Sequence, residues 1–218
     1  MIHRLAPMMN QMMGVELIYA IIIIAISLMI YFLTKEVYKL SAHKGIKYFR
    51  EAFLFFALAF FFRFIVNTLF MTRRVHHFFD LAPRIFGMLA GLLFMYASLI
   101  AIFYLLYAII WKHFKNKIWV FHIIALLIAV LTIITRNPFL ILLIQLVVLV
   151  IMILLSLLKH KGHFHILYLL LFIFGILNII GILIPGFMIA LQLAIYLTSI
   201  ILFFLILYKV IKIMMKHG

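Results

Sequence analysis

Arg63 and Asn67 stand one helical turn apart in FFRFIVNTLF, residues 61–70, a stretch otherwise built from aromatic and aliphatic carbon and one threonine. A guanidinium can grip a carboxylate or another oxyanion through paired N–H donors, and an amide beside it adds one donor group and one acceptor. Side chains of similar capability recur in equally apolar surroundings: Glu16, Gln145, Asn178, Gln192 and Tyr196. With Arg63 and Asn67 these make up the expected ligand-binding set. Arg63 is its centre, either paired with Glu16 or receiving an anionic group of a ligand.

The chain that must position them has 218 residues, 70% hydrophobic and 11% charged, with a mean hydropathy of +1.38. Soluble domains are closer to half apolar and a quarter charged. No water-soluble fold covers so much apolar surface, so the solvent is lipid. Seven apolar runs are long enough to cross a ~30 Å hydrocarbon core: 14–33, 52–72, 85–111, 118–135, 138–158, 165–184 and 187–208. The expected fold is therefore all-α, an integral membrane bundle of seven transmembrane helices forming a single domain over residues 1–218. Short connections make sequential helices antiparallel neighbours. Asn137 can cap the fifth helix with Pro138 at its first position, and only Pro185 and Gly186 separate the sixth run from the seventh.

Charge gives a direction. Thirteen Lys and Arg side chains, every lysine among them, fall after spans one, three, five and seven, whereas five arginines (Arg4, Arg73, Arg74, Arg84 and Arg136) fall on the other side. That bias predicts an outside N-terminus and a cytoplasmic C-terminus, with Trp111 and Trp119 at the inner boundary. The first run is of full span length and is followed at once by TKEVYK, so it reads as a retained span and not as a cleaved leader.

Depth is the more informative pattern. Apart from His122, the strong polar groups inside the spans all lie in the outer half, and the inner half is Ile, Leu and Phe. Glu16 opens span one at its outer end, whereas Arg63 lies ~13 Å below the outer end of span two. A gap of ~10 Å must then be bridged by side chains leaning toward each other. Three readings of the set stay open, one of them a contact between copies in an oligomer. It is an outward-facing polar pocket, or its amides only bond to neighbouring helices, worth about 0.6 kcal/mol each, while Arg63 snorkels to headgroups.

Small residues at 87 and 91, 97 and 101, and 190 and 194 would let helices approach closely, with span three as the central packing helix. Several chemistries are excluded or disfavoured. The chain has no cysteine, which removes disulfides and thiolate chemistry. Residues 187–208 contain no lysine for a retinal Schiff base. His76, His77 and Asp80 could supply a ligand set, but they sit in one loop with no histidine in the last span and read as solvated polar residues. His160, His163 and His165 do not share a helical face, so a metal site there would need a particular loop geometry. Haem between His122 and His165 has no matched partner spacing, and the Met-rich start (Met8, Met9, Met12, Met13) reads as an interfacial lead-in more than a copper site. Asp80 is the only aspartate, so the paired aspartates of an intramembrane protease are missing. Neither an enzyme nor a cofactor is expected.

The leading expectation is a small protein of the prokaryotic plasma membrane that binds a polar or anionic ligand in an outward-facing intramembrane pocket, as a solute transporter. The alternatives are a seven-helix sensor signalling through a partner, and a structural subunit of a membrane complex. Expected partners are the bilayer, anionic lipid at the cytoplasmic face, the small ligand, and a second copy or another membrane protein. The net charge of +15 is spent on topology, so nucleic acid is not among them.

Overall fold

The computed structural model describes residues 2–75, 82–112, 117–159, 164–184 and 188–217. They form seven helices: α1 Ile2–Ser41, α2 Lys44–Val75, α3 Ala82–Ile110, α4 Ile118–Thr135, α5 Pro138–Lys159, α6 Phe164–Leu183 and α7 Ile189–His217. No strand occurs among the described residues. All seven are long and apolar enough to cross a membrane. In hydrocarbon a lone helix satisfies its own backbone hydrogen bonds, which is why such a composition folds this way.

Several helices overrun the apolar runs, and one expected loop disappears. Between α1 and α2 only Ala42 and His43 leave the helix. Lys35 and Lys39 therefore lie on α1, and Lys44, Lys47 and Arg50 on α2. Nothing in TKEVYKLS breaks a helix, since Lys, Glu and Leu are good helix formers. The break comes at Ala42, whose φ of 50° is left-handed and whose N–H donates to the Tyr38 carbonyl at 2.8 Å. α7 likewise continues past residue 208, so Lys209 lies on its helical body, half-buried at the lysine-rich end. The α4–α5 turn has the expected chemistry: Arg136 is left-handed at φ 52°, and Asn137 Oδ1 accepts the Phe139 N–H at 3.0 Å. Pro185, Gly186, His76, His77, Asp80, His160 and His163 lie outside the described residues.

Helix order in space differs from order in sequence at one place. α1 packs on α2 and α7, α2 on α3, α3 on α5, α5 on α6, and α6 on α7, which closes a ring of six. α4 sits outside this ring against α3 and α5. From Leu99 to Ile109 every residue of α3 is buried, so this helix is central. Of its small residues, Ala97 and Ala101 are buried. A Cβ added at Gly87 or at Gly91 would meet no atom within 4 Å, and Ala190 and Ala194 on α7 are exposed. Those two pairs make no close helix contact within this chain, contrary to expectation. Tight approaches fall instead between α5 and α6, where a Cβ on Gly175 would lie 2.6 Å from Leu149 Cδ1, and between α2 and α3, where one on Gly45 would lie 3.1 Å from the Ala108 carbonyl oxygen.

Phenylalanines fill the middle of the ring. Phe174 of α6 and Phe203 of α7 have ring centroids 4.4 Å apart, and Phe53 and Phe56 of α2 reach them at 6.0 and 6.1 Å. Phe53, Phe174 and Phe203 are fully buried.

Candidate functional site

Four helices turn toward one another along stripes spaced by three and four residues. On α2 the stripe is Phe49, Phe53, Phe56, Phe60, Arg63 and Asn67; on α7 it is Gln192, Tyr196, Ser199, Phe203, Ile206 and Val210. α6 contributes Leu167, Leu171, Phe174 and Asn178, and α1 contributes Glu16, Tyr19, Ile23, Ile26 and Ile30. Each stripe is apolar toward the lysine-rich end and becomes polar toward the other. Arg63 and Asn67 are thus a continuation of the inward phenylalanine row.

Arg63 Nε donates to Glu16 Oε1 at 3.0 Å, and its Nη2 donates to the same oxygen. The two side chains are only 12% and 21% exposed, so this guanidinium does not snorkel outward. The depth gap expected from the sequence has a simple resolution. α1 begins at Ile2, so Glu16 lies inside the helix and not at its opening. Three residues further along α1, Tyr19 meets Phe60 of α2 edge-on at 5.5 Å, in step with the ion pair.

Tyr19 ties the pair to the other two helices. Its hydroxyl donates to Asn178 Oδ1 at 3.1 Å, and its ring stacks on Tyr196 at 4.6 Å and 14°. The Tyr196 hydroxyl accepts from Gln192 Nε2 at 2.8 Å, while Asn178 Nδ2 donates to the Phe174 carbonyl at 3.0 Å. Both phenols lie close enough to Arg63 to interact with its charge. Among the described residues, three atoms of this cluster are buried with no hydrogen-bond partner: Asn67 Nδ2, a donor, Gln192 Oε1, an acceptor, and Ser199 Oγ. Leaving such groups unmade costs on the order of 1–3 kcal/mol each.

The sequence set is gathered only in part. Glu16, Arg63, Asn178, Gln192 and Tyr196 meet at this end of the ring, with Asn67 one turn along the same face. Gln145 does not join them. Its Nε2 donates to Ser98 Oγ at 2.9 Å across the α3–α5 contact. Tyr19 belongs to the cluster although the sequence set omits it; its place three residues after Glu16 on one stripe is a readable signal.

Two further polar groups lie toward the lysine-rich end. Arg50 pairs with Glu51, and its Cζ sits 5.2 Å from the Tyr31 ring and 5.3 Å from that of Tyr38. These charges are only 13% and 20% exposed, so Arg50 is a buried contact between α1 and α2 as well as a basic residue near a turn. His122 of α4 lies between two tyrosines of α3: Nδ1 is 2.6 Å from the Tyr96 hydroxyl and Nε2 is 3.0 Å from that of Tyr104. Both ring nitrogens are engaged by these hydroxyls.

No family model matches the chain, and no solved structure matches it. A protein of Archaeoglobus fulgidus, itself described only as uncharacterized, is 31% identical over 144 residues. That stretch is 64% of this chain and 62% of the relative, so the match spans less than two thirds of the relative's length.

Proposed function

We propose that this chain binds a small polar or anionic solute at the Arg63 cluster and carries it across the membrane. The observation behind this reading is the set of buried atoms with no hydrogen-bond partner among the described residues, Asn67 Nδ2, Gln192 Oε1 and Ser199 Oγ, beside an ion pair inside a membrane-spanning bundle. Intramembrane charges and open hydrogen-bonding groups are costly and mark solute pathways in such bundles. The phenylalanine layer of α2, α6 and α7 below the cluster supplies the barrier a transporter needs on its closed side. The lysine bias supports an N-terminus and a cluster facing outside, with the basic ends in the cytoplasm against anionic lipid.

A second reading has its own support. Arg63 is already partnered by Glu16, as it would be in a structural subunit whose ion pair only locks α1 to α2. Removing Arg63 alone does not separate the two readings, because either one leaves Glu16 unpaired. The neutral double variant Glu16→Gln/Arg63→Gln does. Native mass spectrometry of the purified wild type should show a bound small mass that the double variant lacks, at similar thermal stability. Bare protein in both, with full function retained by the variant, would transfer the case to the lock.

A further inference from the structure

The site as it stands carries no net charge, and this limits how it can take an anion. Arg63 and Glu16 neutralise each other, and among the described residues the titratable groups that face the pair are Tyr19 of α1 and Tyr196 of α7, with the neutral amides Asn67 of α2, Asn178 of α6 and Gln192 of α7 around them. An anion arriving at Arg63 while Glu16 stayed ionised would put two negative groups on one guanidinium in a low-dielectric setting. There an uncompensated charge is strongly unfavourable.

We infer that the site, if it binds a solute as proposed above, takes a small monocarboxylate together with one proton, with Glu16 as the proton acceptor and Arg63 as the anion receptor. The exchange balances. The proton goes onto the Glu16 carboxylate, its two bonds from Arg63 are released, and the guanidinium closes on the incoming carboxylate. The site is neutral before and after. Asn67 Nδ2, an unused donor on the same face of α2, lies one turn from Arg63 and is placed to bond an oxygen of the newcomer. The geometry of the resting pair suits exchange. Both guanidinium bonds fall on one oxygen, Oε1, and not on two as in the parallel fork that makes such pairs hardest to open.

This gives a sign for pH. The loaded site holds one more proton than the empty one, so affinity rises as pH falls, about tenfold for each unit. In Glu16→Gln the proton requirement is gone and Arg63 is permanently available.

The test is the thermal stability of purified wild type, Glu16→Gln and Glu16→Gln/Arg63→Gln, titrated with acetate and with lactate between pH 5 and 8. A ligand that binds only the folded form raises the melting temperature by mass action. The expected result is apparent affinity for at least one carboxylate that tightens about tenfold per pH unit in wild type, is flat with pH in Glu16→Gln and is absent in the double variant. Wild-type binding that ignores pH would overturn the proton coupling and leave the binding site standing. Carboxylates that stabilise neither wild type at any pH nor Glu16→Gln would overturn the carboxylate site itself. Should Glu16→Gln fail to fold, the wild-type pH series and the double variant decide the matter alone.

Discussion

A single oxygen, Glu16 Oε1, accepts both Arg63 bonds that join α1 to α2 near one end of the ring. Two largely buried charges thereby share one contact while the surrounding side chains are aromatic or amide. The energetics of such a pair are asymmetric. Forming it gains little over an apolar replacement, but removing one member strands the other charge.

A double-mutant cycle measures this asymmetry. Arg63→Gln leaves a lone carboxylate and Glu16→Gln a lone guanidinium, and each should lower stability by about 3–5 kcal/mol in an anion-poor buffer. The double variant should recover most of that loss. Melting in detergent reads all four corners of the cycle. A double variant as unstable as the sum of the singles would mean the two residues are energetically independent, and the contact would then carry no weight in any account of this protein.

How much of this is legible beforehand depends on what sequence encodes. Arg63 and Glu16 can be matched because Glu16 is the one acid inside the spans toward that end, and polarity confined to one end of several stripes is a one-dimensional pattern. Neighbour order around the ring is not. Gln145 has the right depth but the wrong azimuth, and only packing places it against Ser98, with α4 displaced outside α3 and α5. Tyr19 shares a stripe with Glu16, which places it at the right face, but its hydroxyl partner Asn178 on a distant helix is not written in the sequence. Arg50 reads as topology alone, since sequence cannot tell a solvated basic turn from a helix end whose charge is packed between Tyr31 and Tyr38.

Orientation can be tested without background, because the chain has no cysteine. Leu40, 82% exposed at the lysine-rich end of α1, and Thr135, exposed at the opposite end of α4, are suitable single-cysteine sites that leave every charge in place. On intact cells a membrane-impermeant maleimide should label Thr135→Cys and spare Leu40→Cys, which should react once the membrane is opened. The reverse pattern would put the Arg63 cluster on the cytoplasmic side and refute the outward-facing pocket.

α4 is the helix with the least to hold it. Among the described residues α4 packs only against α3 and α5, and it keeps most of its apolar side chains at the surface, among them Ile123, Leu126, Leu127 and Leu131. Lipid tails match such side chains well, so apolar contact gives little preference for α3 over the bilayer, and hydrogen bonds between helices count for more. His122 supplies two, to Tyr96 and Tyr104, which stand two turns apart on α3 and grip opposite edges of one imidazole. A neutral ring can serve both at once, donating through one nitrogen and accepting through the other. In His122→Phe the shape is kept and both bonds are lost, about 1 kcal/mol together at 0.6 each. The two tyrosine hydroxyls on α3 also lose a partner. The loss should be local: hydrogen exchange in residues 118–135 should speed up severalfold, that of α1 and α2 around Glu16 and Arg63 should stay as it was, and the melting temperature should fall only slightly. Loosening spread evenly over all helices would mean instead that α4 is an integral part of one cooperative core, and unchanged exchange in α4 would mean that packing against Ala125 and Ala129, both fully buried, holds it without the histidine.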